Sequence, residues 1–364
     1  MIAVIADDVS GAAELAGAAL RHGLRAEVQT VFDPRTDADV ICVETDSRSM
    51  SPQAAAHAAG EAARRVAEAR PDWIYKKCDS VLRGHVLAEL RAIMTASGHS
   101  QAMLVPANPS RGRVIRGGHL FVNDQPLHTT DFARDPEHPR TTSRVTELLG
   151  VGLNHVTVPD VSGEEDLVRQ TGLVDNGTLA AGGVEFFEAL LTKHGSPPVT
   201  GAIGPLAESR LLARTGERIS HPVTLLICGS AASWSKRRQQ ARDRGIAAFN
   251  LPHDIAAITG ALRANRRTLI GIGDGPLTHG MAPSALAKQL ARAAADVLRD
   301  NSVERLLLEG GATAAAVVHE LGWTRLCACK VAAPGIGTLR PFELAAPIVS
   351  IKPGSYDWPA GLWG

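Results

Sequence analysis

The sequence predicts an α/β protein of two domains, each a mainly parallel sheet flanked by helices. Three observations predict it. The chain has 364 residues, where one domain ordinarily takes about 100–200. In both halves short apolar runs alternate with Ala-rich helical stretches, and strands separated by helices pair in parallel. Between the halves, Gly195–Pro222 carries four prolines and weak periodicity. We place the boundary there, dividing residues 1–205 from 206–364.

In the first half, Ile2–Ala6 is an unbroken apolar run and reads as a buried strand. A helix follows from about Ala12 to His22 and stops at Gly23, a residue suited to the left-handed position that ends helices. Ala26–Thr30 and Val40–Glu44 read as strands. Ser51 and Pro52 supply an N-cap and a first-turn proline for a helix running to about Ala69. Trp73–Lys77 reads as a strand, Val86–Ala96 as a helix and Ala102–Pro106 as a strand. From Ala107 to Pro139 the pattern gives way to Gly, Pro, Asn, Arg and His. Such a stretch is usually functional or built of short hairpins. Helical signal returns at Ser143–Leu149 and Val184–Lys193, and Val199–Ile203 reads as a short strand.

In the second half, Val223–Cys228 is a strand followed by a basic helix near Ser233–Arg244. Thr268–Ile272 (strand), Ser284–Arg299 (helix), Arg305–Leu308 (strand) and a helix near Ala312–Leu321 follow. Arg325–Val331 and Pro347–Ile351 complete the set. Gly271, Gly273 and Gly275 lack the spacing of a dinucleotide fingerprint and read as a loop.

The 38 Lys and Arg balance 38 Asp and Glu. A whole-molecule field for nucleic acid or a membrane surface is therefore not expected, and anions must be held by local clusters. Aromatics make up 4%, too few for a single-strand stacking platform. The five cysteines are odd in number and scattered, which fits a reducing compartment rather than a disulfide framework. Cys327 and Cys329 have no partner pair at ligand spacing, so no structural metal is expected. No apolar stretch approaches the ~20 residues of a membrane span. A cytoplasmic protein is expected.

Open α/β sheets bind ligands beyond the carboxyl ends of their strands, and polar clusters fall there. Asp7-Asp8-Val9-Ser10-Gly11 follows the first strand. Its carboxylates could bond substrate hydroxyls or accept a proton, and Asp8 or Ser10 could simply cap the helix. Glu44-Thr45-Asp46-Ser47-Arg48 brings a planar guanidinium suited to a carboxylate. Residues 76–85 hold Lys76, Lys77 and Arg83 against one acid, Asp79. That combination suits an acidic, hydroxylated small molecule. Residues 101–123 carry three arginines and no acid. In the second half, Gly229-Ser230, Glu309-Gly310-Gly311-Ala312-Thr313, Pro334-Gly335-Ile336-Gly337 and Lys352-Pro353-Gly354-Ser355 are glycine turns where backbone could approach a phosphate beside a helix start. There is no P-loop, protein-kinase signature, Gly-x-Ser-x-Gly elbow or His-Glu-x-x-His.

Taken in order, these clusters resemble the four-carbon acid sugar kinase family over nearly the whole chain. Ile5-Ala6-Asp7-Asp8-Val9-Ser10-Gly11-Ala12 is similar to the family's opening Ala-Asp-Asp-(Leu/Phe)-Thr-Gly-Ala. Thr45-Asp46-Ser47-Arg48 resembles its second motif, and Lys77-Cys78-Asp79-Ser80-Val81-Leu82-Arg83-Gly84 its Lys-x-Asp-Ser-Thr-Leu-Arg-Gly. Pro106–Arg113, Asn123, Pro126-Leu127 and Phe132–Pro136 follow the middle region. The C-terminal motifs depart from the pattern. Ala312 stands where the family has an acid after its glycine pair. Gly229-Ser230-Ala231-Ala232-Ser233 is one residue out of step with Gly-Ser-x-Ser. Lys352-Pro353-Gly354-Ser355-Tyr356 replaces Lys-Ser-Gly-x-Phe.

The resemblance implies an ATP-dependent kinase for acids such as threonate, erythronate or their 3-oxo forms. Its substrate domain would be N-terminal, its nucleotide domain C-terminal and its site in the cleft between them. By resemblance, Asp7, Asp8, Arg48, Lys77, Cys78, Asp79, Ser80 and Arg83 would line the substrate site, with Arg48 on the substrate carboxylate and Asp8 or Asp79 as the base. Ser230, Ser233, Gly310, Gly311, Ala312, Thr313, Gly335, Lys352 and Gly354 would hold ATP, with Mg²⁺ bridging its oxygens. The partners expected are the sugar acid and ATP, with a second copy of the chain as a further candidate. The alternatives are a non-catalytic sugar-acid binder with a degraded nucleotide half, or a kinase for an altered acid whose pocket is shaped by Thr45, Cys78 and residues 107–120.

Overall fold

The structure, a computed structural model, describes residues 1–135, 137–150, 152–199, 222–273, 280–300, 303–333, 335–343, 346–354 and 356–359. The chain divides into two compact units, Met1–Val199 and Thr200–Gly364. The boundary placed between 205 and 206, and the strand expected to continue from Val199, fall outside the described residues. Among the described residues no helix is long and apolar enough to cross a membrane.

The first unit begins with β1 (Ile2–Ala6), α1 (Val9–Arg21), β2 (Ala26–Gln29), β3 (Val40–Glu44) and α2 (Pro52–Glu68). It continues with β4 (Trp73–Lys77), α3 (Val86–Ser97) and β5 (Gln101–Val105). α1 starts three residues earlier than expected because Asp8, not Ser10, is the N-cap, its Oδ1 accepting from Gly11 N at 2.8 Å. Every residue from Val9 to Ala19 is buried, so this Ala-rich helix lies against the sheet with little side-chain bulk between.

The irregular stretch after β5 is mostly a small antiparallel sheet of β6 (Arg113–Arg116), β7 (His119–Val122) and β8 (Gln125–Pro126). Gly117-Gly118 and Asn123-Asp124 turn its corners. All four have positive φ, as two-residue hairpin turns of the mirror-image type demand. Then come α4 (Val145–Leu149), β9 (Val156–Thr157), α5 (Glu164–Thr171), β10 (Thr178–Gly182) and α6 (Val184–Lys193).

The unit's main sheet is parallel throughout, in the order β2-β3-β1-β4-β10-β5-β9. β10, absent from the sequence reading, lies between β4 and β5. Its run Thr178-Leu-Ala-Ala-Gly has one large apolar side chain and is buried throughout, so it lacks the bulk that marks a strand. Register aligns Glu44, Ala6, Lys77, Gly182 and Val105 at the carboxyl ends of five adjacent strands. The residues that follow each strand therefore meet along one edge.

The second unit comprises β11 (Thr224–Cys228), α7 (Ala231–Asp243), β12 (Ala247–Asn250), α8 (Ile255–Asn265), β13 (Arg267–Gly271) and α9 (Pro283–Asp300). β14 (Arg305–Glu309), α10 (Gly311–Glu320), β15 (Arg325–Ala333), β16 (Ile336–Pro341) and β17 (Ile348–Lys352) complete it. Its strands run β12-β13-β11-β14-β17-β16-β15. The first five are parallel, and β16 is antiparallel to both neighbours. Gly271 has a packing reason: a Cβ there would lie 2.2 Å from the buried Trp234 ring. Asp274 and Gly275 of that glycine run lie outside the described residues.

Candidate active site

In the first unit the strand-end edge gathers a charged cluster. Arg48 spans the two aspartates after β1, its Nε donating to Asp7 Oδ2 at 2.7 Å and its Nη1 to Asp8 Oδ2 at 2.6 Å. The 45–48 turn is tied to β1 through the backbone: Ser47 N and Arg48 N both donate to Asp7 O. Gly84, with φ +86°, leaves room for this arrangement, since a Cβ there would sit 3.3 Å from Asp7 Oδ2.

Asp8 is fully engaged. Its Oδ1 caps α1, and its Oδ2 accepts from Ser10 Oγ as well as Arg48. Asp7 is not. Its Oδ1 is buried and has no hydrogen-bond partner among the described residues. Burial works to raise the Asp7 pKa, but Arg48, Lys76 and Lys77 outweigh it and hold the carboxyl below its ordinary value. Asp7 is therefore a carboxylate with one buried oxygen left without a donor.

The other cations all have carboxylates. Lys76 Nζ lies 2.6 Å from Glu89 Oε2, with both side chains buried. Lys77 Nζ is 3.4 Å from Glu14 Oε2 and donates to Cys78 O. Arg83 grips Asp79 with a two-bond fork, Nε to Oδ2 at 3.0 Å and Nη2 to Oδ1 at 2.8 Å, and reaches Asp135 at 3.2 Å. The cation excess seen in residues 76–85 is thus balanced in space by acids from elsewhere in the chain.

This changes three expected roles. Arg48, expected on a substrate carboxylate, already carries two carboxylates. Asp79, expected as a possible base, is held by Arg83 and two backbone N–H groups. Burial pushes the Asp79 pKa up, but Arg83 and Arg48 bring it far below the usual range, and both its oxygens already accept hydrogen bonds, so none is left for a substrate proton. Cys78 is buried and its thiol is pushed up to about 12 by burial, which leaves it neutral and unreactive. Ser80 lies partly buried in the same turn.

The depressed Asp79 value has a measurable consequence. A carboxyl lowered on folding contributes stability above its unfolded value of ~3.9, and that stability is lost as pH falls toward the folded value. Asp79→Asn should therefore weaken the protein at neutral pH and flatten its loss of stability between about pH 5 and 2. Urea titrations across that range measure it; an unchanged acid limb would show that Asp79 carries no such linkage.

In the second unit, register aligns Cys228, Glu309 and Lys352 at the ends of β11, β14 and β17. Three of the glycine turns follow directly. Gly310 has φ +104°, and a Cβ on Gly229 would fall 1.7 Å from Thr313 Oγ1. Both positions therefore need glycine. Gly310 and Gly311 open α10, with Ala312 exposed and Thr313 buried in its first turn. Ser230 caps α7, accepting from Ser233 N at 3.3 Å, and Ser233 Oγ donates to Gly354 O at 3.2 Å. Gly335 (φ +80°) enters β16, whose Gly337 lies opposite Ile351 of β17.

Lys352 departs from its expected role on the triphosphate. It is fully buried, with Nζ 2.9 Å from Glu309 Oε1. Glu309 Oε2 in turn accepts from Arg237 Nε at 2.7 Å and Trp358 Nε1 at 3.0 Å. Burial lowers the Lys352 pKa, and Glu309 only partly offsets it. Lys352 and Arg237 thus form the floor beneath the turns. Among the described residues no three His, Cys, Asp or Glu side chains gather as metal ligands.

A family model described as "Sugar-binding N-terminal domain" matches residues 2–181, which contains the whole Asp7–Arg83 cluster. A D-threonate kinase of Cupriavidus necator is 29% identical across 99% of this chain and 96% of its own. This chain belongs to the four-carbon acid sugar kinase family. A D-threonate kinase of Salmonella typhimurium is 37% identical over 151 residues, which is 41% of this chain and 36% of that one. A solved Haemophilus influenzae protein shares the fold, with TM-score 0.68 at 20% identity over 98% of this chain and 97% of that one.

Within this family member, sequence reasoning missed Glu14, Glu89 and Trp358. Glu14 lies mid-helix, where an acid ordinarily reads as solvated, and Glu89 lies in the first turn of α3, where an acid ordinarily reads as favouring the helix start. Only the strand opposite shows that they face buried lysines.

Proposed function

We propose that this chain transfers the γ-phosphoryl group of ATP to a hydroxyl of a four-carbon sugar acid of the threonate type. One observation carries the proposal: a buried carboxylate oxygen, Asp7 Oδ1, without a donor at the carboxyl end of a parallel strand. A buried acceptor left unpaired costs about 1–3 kcal/mol, and a substrate hydroxyl would satisfy it. Asp7 is then the base in place of the expected Asp8 or Asp79. The hydroxyl oxygen bonds the γ-phosphorus, the bond from that phosphorus to the β–γ bridging oxygen breaks, ADP leaves and the hydroxyl proton passes to Asp7. Arg48 keeps Asp7 ionised and fixes the orientation of both Asp7 and Asp8.

In the second unit, the backbone N–H groups that start α7 and α10, opened by Gly229, Gly310 and Gly354, would hold the phosphates. Mg²⁺ would enter with the triphosphate, as this ion commonly does. Kinase names among full-length relatives support the reading.

Ala312 and the internal pairing of Lys352 with Glu309 favour a second reading, a sugar-acid binder without nucleotide. Calorimetry with a non-hydrolysable ATP analogue and Mg²⁺ separates them. Saturable nucleotide binding is expected, and its absence would leave the binder.

A further inference from the structure

The cation that meets the substrate's carboxylate is not settled by the motifs, because their cations are already paired. Resting on the kinase reading above, we infer that Arg140 binds the carboxylate of the acid and so sets the protein's preference for acids over neutral polyols and amides. Arg140 lies outside every motif in the sequence. The chain brings it back onto the cluster: its backbone N donates to Phe132 O at 2.9 Å, and the Phe132 ring lies 5.7 Å from the Arg83 guanidinium.

The Arg140 side chain is held by two neutral acceptors. Nη1 donates to Leu82 O at 2.8 Å, in the Asp79–Arg83 turn, and Nε donates to His138 O at 2.8 Å. His138 Nε2 in turn meets Arg48 O at 2.9 Å. Arg140 is thus fixed between the two turns that carry Arg48 and Arg83. Among the described residues it makes no ion pair, whereas Arg48, Lys76, Lys77 and Arg83 each do. It is partly exposed, so an incoming anion can reach it.

The charge balance decides between Arg48 and Arg140. A guanidinium already touching two carboxylates offers a third little net attraction. One hydrogen-bonded only to carbonyls, with Asp79 and Asp135 acting on it only through longer-range attraction, keeps more of its charge for a ligand, and its five N–H groups exceed the two bonds it makes. Its orientation is also set before the ligand arrives, which lowers the ordering cost of binding.

Arg140→Gln tests this, because glutamine can still donate to carbonyls but has no charge. Calorimetry without nucleotide would compare D-threonate with its uncharged amide, D-threonamide. For the acid, Arg140→Gln should weaken binding about tenfold to a hundredfold. For the amide it should change binding less than about twofold, and Arg140→Lys, which keeps the charge but not the fork, should recover part of the acid's affinity. Equal weakening of acid and amide would make Arg140 a structural strap and overturn the inference, as would unchanged acid binding or no binding of the acid by the parent protein. If the parent binds threonate through Arg140 but never phosphorylates it, the kinase reading fails while the inference stands.

Discussion

Asp7→Asn is expected to lower kcat for phosphoryl transfer by about 10²- to 10⁴-fold, the usual contribution of a positioned base. The amide is nearly the same shape and keeps an acceptor oxygen, so KM for the acid should change little. Asp8→Asn should behave differently. Its carboxylate caps α1 and pairs with Arg48; asparagine still caps, so the loss should appear mainly as stability through the weakened Arg48 pair. Arg48 keeps the Asp7 carboxyl below the ordinary carboxylate range. The acidic limb of the kcat profile should therefore lie below about pH 4, the ordinary aspartate value. Steady-state kinetics on both variants check the assignment. A larger kcat loss in Asp8→Asn than in Asp7→Asn would move the base to Asp8.

The second large effect is on folding. Lys76 and Glu89 are buried at 0% and 1% exposure with their charges 2.6 Å apart. Removing one partner of such a pair leaves a buried charge and typically costs about 3–5 kcal/mol. Glu89→Leu should therefore destabilise the protein by that order, while Lys76→Met with Glu89→Leu together should recover most of it. Glu89 Oε1 also accepts from Ser47 Oγ at 2.6 Å. The stable double variant should therefore still show weaker acid binding, because the turn carrying Arg48 has lost an anchor. Chemical denaturation of both variants beside the parent measures the effect; a double variant no more stable than Glu89→Leu alone would show that the pair is not what the cost reports.

Much of this was legible in the residues because strands with large apolar side chains mark their own ends. Val40–Glu44, Trp73–Lys77 and Val184–Lys193 fall where periodicity places them. The polar runs that follow the strands are what the parallel register brings together. β10 and β12 were not legible, since alanine and glycine runs do not separate a buried strand from a loop. Partner choice within the cluster was not legible either. Which cation Asp7 or Glu309 meets depends on neighbours 41 and 72 residues away in sequence, Arg48 for Asp7 and Arg237 for Glu309. The spacing of a motif shows its charges but not whether they are already neutralised. That is why Arg48, Asp79 and Lys352 looked available in sequence and are engaged in the fold, while Arg140 drew no notice.

The central claim is phosphoryl transfer to a sugar acid, and one measurement addresses it most directly. The purified chain would be incubated with ATP, Mg²⁺ and a panel of four-carbon acids including both threonates and erythronates, with ADP release and the phosphorus NMR spectrum followed together. The account predicts stoichiometric ADP release and a new phosphomonoester signal with at least one acid, both abolished in Asp7→Asn. Nucleotide binding without ADP release or ester formation from any of these acids would contradict it.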